Sequence, residues 1–128
     1  MALSAHEYQC RDAMALAELI RCGDVSTGEV LQTCISLIEQ HNPTLNAVIH
    51  TLYDFARSQL QTLSPDASFA GVPLLLKDLG HHLAGTPSTS GNRALRDRRP
   101  VRDTAGVFDQ VVGNMPGDPL CRSRQWNR

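Results

Sequence analysis

Lys77 closes the apolar run Phe69-Ala70-Gly71-Val72-Pro73-Leu74-Leu75-Leu76 and is followed at once by Asp78. A run of that character is expected to enter the interior as a strand and to carry the lysine with it. Loss of hydration disfavours the ammonium form, so a lysine delivered there can serve as a neutral base or relay a proton to a serine nucleophile. Two readings oppose this. A lysine at a strand end commonly snorkels to the surface, and a facing Asp78 would hold it charged. Adjacent residues of a strand project to opposite sides, which would separate the two.

The remaining reactive side chains have plainer readings. Ser88, Thr89 and Ser90 could be mistaken for nucleophiles, but they lie between Pro87 and Gly91, which mark a tight turn. His81 and His82 are neighbours whose rings diverge, with no carboxylate or cysteine at a ligating offset, so a solvated turn is expected and neither metal nor cofactor. Arg93, Arg96, Arg98, Arg99 and Arg102 form the basic cluster of the chain. It lacks interleaved aromatics and is diluted by Asp97 and Asp103, so it reads as a solvated loop and not as a nucleic-acid surface.

The elements that would position Lys77 can be read from caps and periodicity. Asp12 caps a helix with Ala13, Leu16, Ala17 and Ile20 on one face, and Gly23 ends it. Ser26 and Glu29 form a capping box for a second helix, bearing Val30, Leu31, Cys34, Ile35, Leu37 and Ile38 and stopped at Asn42-Pro43. Residues 46–52 are rich in β-branched side chains and predict a first strand. Helical spacing resumes over residues 54–63 through Phe55, Leu60 and Leu63, residues 64–66 are a loop, and residues 69–76 are the second strand. The order helix, helix, strand, helix, strand predicts an α/β fold in which a helical layer covers the start of a mixed sheet.

The run from Phe69 through Lys77-Asp78, with Gly80, Thr86-Pro87-Ser88-Thr89-Ser90-Gly91 and Arg93-Ala94-Leu95, resembles the amidase signature family of serine hydrolases. The likeness extends back through Asp12-Ala13, Leu16 to Arg21, Gly23, Val25-Ser26, Glu29 to Leu31, Ile38-Glu39, Asn42-Pro43 and Leu45 to Val48. The resemblance implies a Ser-Ser-Lys triad that hydrolyses carboxylic amides of small molecules, with Lys77 as its catalytic lysine. It also implies that both serines lie in a glycine- and serine-rich signature well beyond residue 128, together with the turn that stabilises the oxyanion. Ser88, Ser90 and Ser123 do not belong to such a motif, and the resemblance gives residues 88–90 a structural rather than a nucleophilic role.

Past Asp103-Thr104 the likeness fades, and Gly106, Gly113, Pro116, Gly117 and Pro119 interrupt helical and strand patterns alike. Residues 1–104 are therefore expected to be the N-terminal part of an amidase domain, and 105–128 a divergent, irregular tail such as a frameshift or misplaced stop would produce. The expectation is a truncated amidase-like protein, inactive alone for want of its serines. The alternatives are a small non-catalytic binding or regulatory module, or the product of a decayed gene.

Composition sets the outer bounds. A chain of 128 residues, 41% hydrophobic, can bury a single core. A net charge of -1 gives no pull toward nucleic acid or anionic membrane. The start of the chain lacks a secretory signal, and no segment is apolar enough to span a bilayer. The four cysteines, Cys10, Cys22, Cys34 and Cys121, make no CxxC pair and point to a reducing cytoplasm. A second strand that is apolar on both faces expects neighbours on both sides, so the isolated fragment is expected to self-associate.

Overall fold

The structure, a computed structural model, describes residues 3–64 and 66–101. The expected tail at 105–128, with Cys121 and Ser123, lies outside the described residues, as do Arg102 and Pro65. The chain falls into two compact units, one reaching to Leu74 and one beginning at Leu75.

Four helices build the first unit: α1 (Ala5–Gln9), α2 (Ala13–Cys22), α3 (Thr27–Leu45) and α4 (Tyr53–Gln59). The two longer ones start and, for α2, stop where local chemistry dictates. Asp12 accepts a hydrogen bond from the Ala15 amide at 2.8 Å, and Gly23 closes α2 at φ 77°, a conformation that costs glycine little. At the head of α3 the Ser26 hydroxyl accepts from the Glu29 amide while the Glu29 carboxylate accepts from the Ser26 amide, satisfying two otherwise orphaned donors. The same box, Ser4 with Glu7, starts the five-residue α1.

The core is small: Leu16 on α2, Val25 in the link, and Val30, Leu31 and Ile35 on α3, with Val30 fully buried. Both α1 and α4 pack on α3. Hydrogen bonds fasten these contacts, from Thr33 Oγ1 to the Leu3 carbonyl at 3.2 Å and from the Tyr53 hydroxyl to Glu39 Oε1 at 2.6 Å. Gly71 lies against the α2–α3 corner at φ 81°, where a Cβ would stand 2.3 Å from Thr27 Cγ2.

Two helix ends differ from expectation. α3 continues through Asn42-Pro43, because Pro43 lies in the last turn and forfeits only the bond to the Glu39 carbonyl. The stop comes instead at Asn46, which is left-handed at φ 47°. The third predicted helix ends at Gln59, and bonds from Leu60, Gln61 and Thr62 to the residues three before them continue it only as turns.

Neither predicted strand forms, and the described residues contain no sheet, so the helical layer is present and the start of a mixed sheet is not. The reasons are specific. In residues 46–52 the Asn42 side chain takes both backbone groups of Val48, donating to its carbonyl at 2.9 Å and accepting from its amide at 2.8 Å. A ladder would need those groups. In residues 69–76 the first part is a turn, closed by the Val72 amide on the Phe69 carbonyl at 3.1 Å with Gly71 in the left-handed region. Val72 to Lys77 has no regular structure, and among the described residues no other segment supplies the backbone partners that define a strand.

Candidate functional site

Lys77 ends that irregular stretch, in the second unit, and is exposed. The leucines on either side of it do not carry it inward. Leu75 is 64% exposed, Leu76 40% and Leu79 58%. The interior location expected for the lysine is therefore not formed by the described residues, among which the leucines that should drive it inward stay exposed.

Asp78 has found other partners. Its Oδ1 accepts from the Thr89 amide at 2.7 Å, and its Oδ2 accepts from the Thr89 hydroxyl. These bonds hold the carboxyl well below its ordinary value, down to about 2. The Thr89 hydroxyl contributes most, burial works against it, and the backbone amides of Thr89, Ser90 and Gly91 add to it. Among the described residues no ion pair joins Asp78 to Lys77. The aspartate that could have neutralised the lysine is committed to the turn eleven residues on.

The turn itself is tightly specified. The Asn92 amide donates to the Thr89 carbonyl at 2.9 Å, and between them Ser90 and Gly91 are both left-handed, at φ 51° and 69°. Two successive left-handed residues are the signature of a type I′ turn. Ser88, just before it, is 2% exposed, and its Oγ lies 2.7 Å from His82 Nδ1. Backbone bonds from Ser88 to Arg98 and from Gly85 to Pro100 hold the segments on either side of the turn together. Asn92 then caps a single 3-10 turn at Arg93–Leu95 through the Ala94 amide at 2.9 Å.

This geometry answers the sequence expectations residue by residue. Ser88 is buried against a histidine ring and Ser90 is a turn residue, which agrees with structural roles for both. His82 is engaged with that serine. Arg93, Arg96, Arg98 and Arg99 are exposed, and Arg99 spends its guanidinium on the carbonyls of Arg96 and Arg98. The Asp78–Thr89 clasp was not anticipated. Its signal was an aspartate upstream of a Thr-Ser-Gly turn whose amides need an acceptor.

Elsewhere among the described residues, no three His, Cys, Asp or Glu side chains gather closely enough to hold a metal ion, and no helix is long and apolar enough to cross a membrane. A shallow hollow of about 290 Å³ is lined by Thr51, Leu52, Tyr53, Asp54, Phe55 and Arg57 of the first unit, none of them a candidate residue.

Comparison with known proteins places this geometry in context. Over 100 residues, 78% of the chain, the sequence is 40% identical to the 6-aminohexanoate-cyclic-dimer hydrolase of Paenarthrobacter ureafaciens. Over 112 residues, 87% of the chain, it is 38% identical to the lipoamidase of Enterococcus faecalis. Over 102 residues, 76% of the chain, it is 34% identical to a component of the glutamyl-tRNA(Gln) amidotransferase of Nitratidesulfovibrio vulgaris. The chain spans 20%, 15% and 19% of the lengths of these three relatives. No protein-family model matches the chain, and no solved structure does.

Proposed function

Because this chain is related to amidases over most of its own length and a fifth or less of theirs, we propose that it carries the lysine-bearing portion of a carboxylic-amide hydrolase site. The observation that carries the reading is the 40% identity itself, since a matched stretch of 100 residues in a chain of 128 necessarily includes Lys77. On this reading residues 1–104 are part of an amidase-signature domain, and 105–128 stand outside its pattern.

In the complete site Lys77 acts as the base. Its neutral amine takes a proton from a bridging serine, which takes one from the nucleophilic serine as that oxygen bonds to the amide carbon. The proton returns along the same path to the departing amine when the C–N bond breaks, and water then releases the acyl group. Backbone donors aimed at the developing oxyanion supply the largest electrostatic contribution. No cofactor takes part. The substrate is a small-molecule amide, and neither nucleic acid nor membrane is needed. Free Cys10, Cys22 and Cys34 fit a reducing cytoplasm.

The 128 residues by themselves lack the two serines and the oxyanion donors, and leave Lys77 in water, so they are inactive alone. The exposed leucines around Lys77 favour one other reading: a non-catalytic chain that associates with itself or with another polypeptide through that stretch. Activity separates the two. A serine-directed fluorophosphonate probe, mapped by mass spectrometry, leaves Ser88, Ser90 and Ser123 of the isolated chain unlabelled. Stoichiometric labelling of one of them that vanishes in Lys77→Ala would show a working Ser-Lys pair within these residues and overturn the reading.

A further inference from the structure

The chain contains two polar groupings in its second unit, Lys77 with Asp78 and the turn at 88–92, and the structure joins them through a single carboxylate. We infer that Asp78 is a positioning residue for Lys77: by locking onto Thr89 it ties the lysine's backbone to a rigid turn. The inference rests on the role proposed for Lys77 and names the group that anchors it.

Three observations lead here. Both oxygens of Asp78 are used on the same residue, one on the Thr89 amide and one on its hydroxyl, so the carboxylate is fixed in position and in rotation. A single bond would leave it free to swing. The Thr89 hydroxyl is held in turn, since it also accepts from the Gly91 amide at 3.3 Å. The turn that receives the carboxylate is a poor candidate for drift. Ser90 occupies a left-handed conformation that a non-glycine residue keeps only where its surroundings over-determine it. Here the surroundings are the Thr89–Asn92 bond, the buried Ser88 with its His82 contact, and the Ser88–Arg98 and Gly85–Pro100 backbone bonds.

The consequence for Lys77 follows from chain geometry. Lys77 is bonded directly to Asp78, the first of the turn residues 78–80. With Asp78 held on Thr89, the backbone of Lys77 is anchored at its junction with that clasp. The same clasp occupies the anion that would otherwise pair with the amine, which a base must avoid. One carboxylate thus anchors the lysine's backbone and stays out of its way. The depressed titration of Asp78 is what such a clasp entails.

The test is made by NMR on the 128-residue chain and needs no activity, so it stands or falls separately from the amidase reading. In the unaltered protein the Asp78 carboxyl carbon titrates near 2, and the amide signals of Lys77 and Thr89 follow it with the same midpoint. Thr89→Val raises the Asp78 midpoint by about one unit or more and turns the single set of Lys77 and Asp78 scalar couplings into averaged values. Thr89→Ser, which restores the hydroxyl, returns both to those of the unaltered protein. Asp78→Asn averages the Lys77 couplings as Thr89→Val does. Methyl signals of Leu16, Val30 and Ile35 report that each variant is folded. Lys77 couplings and amide signals that ignore both the Asp78 titration and the two disruptive variants would overturn the inference. The unaltered protein alone decides the matter if a variant does not fold.

Discussion

At the scale of single residues, Asp78, next to Lys77, spends its charge on Thr89. The folded value of its carboxyl, about 2, lies below the ordinary 3.8. A group depressed in the folded state contributes its full stabilisation above the unfolded value and loses it as pH falls through the folded one. The Thr89–Gly91 turn is therefore expected to keep its amide protection down to about pH 4 and to lose it between about pH 4 and 2. Hydrogen exchange at Thr89 and Gly91 measures this, and protection unchanged at about pH 1.5, below both values, would contradict it. The lysine was legible as a chemical candidate from its place after an apolar run. Its exposure was not, because burial is decided by what covers a segment and not by the segment itself.

Among the elements, those specified by neighbours in sequence came out as read, and those needing distant partners did not. Asp12, Gly23 and the Ser26–Glu29 box act within three or four residues and are found in those roles. The Ser4–Glu7 box of α1 has the same pattern, but five residues carry no apolar stripe to reveal it. Both predicted strands failed for want of partners: the Asn42 side chain claims Val48 in one, and the Phe69–Val72 turn cuts into the other. Gly71 is the residue on which that turn depends. Gly71→Ala forces a Cβ to 2.3 Å from Thr27 Cγ2 at a φ of 81°, and should cost about 2 to 3 kcal/mol of stability in denaturant unfolding. Adding Thr27→Ser removes that methyl and should recover the steric part alone, since the backbone strain remains. A Gly71→Ala protein as stable as the original would show that the turn is not fixed as described.

For the whole molecule, the described residues give a helical unit with a core of five buried apolar side chains and a second unit built on turns, with three leucines left largely in water around Lys77. Relatives several times longer are matched over a fifth or less of their lengths, and on the proposed reading the groups that would cover those leucines and complete the chemistry belong to the rest of such a protein. The central claim is that Lys77 is the base of that larger site. The most direct measurement is fluorophosphonate labelling, mapped by mass spectrometry, of a graft in which residues 3–101 replace the matched stretch of an amide-hydrolysing relative, run beside the same graft carrying Lys77→Ala. The expected result is labelling of one serine in the recipient's own sequence, slowed about 100-fold or more when Lys77 is removed. Labelling at the same rate in both grafts would contradict the claim that Lys77 activates the nucleophile.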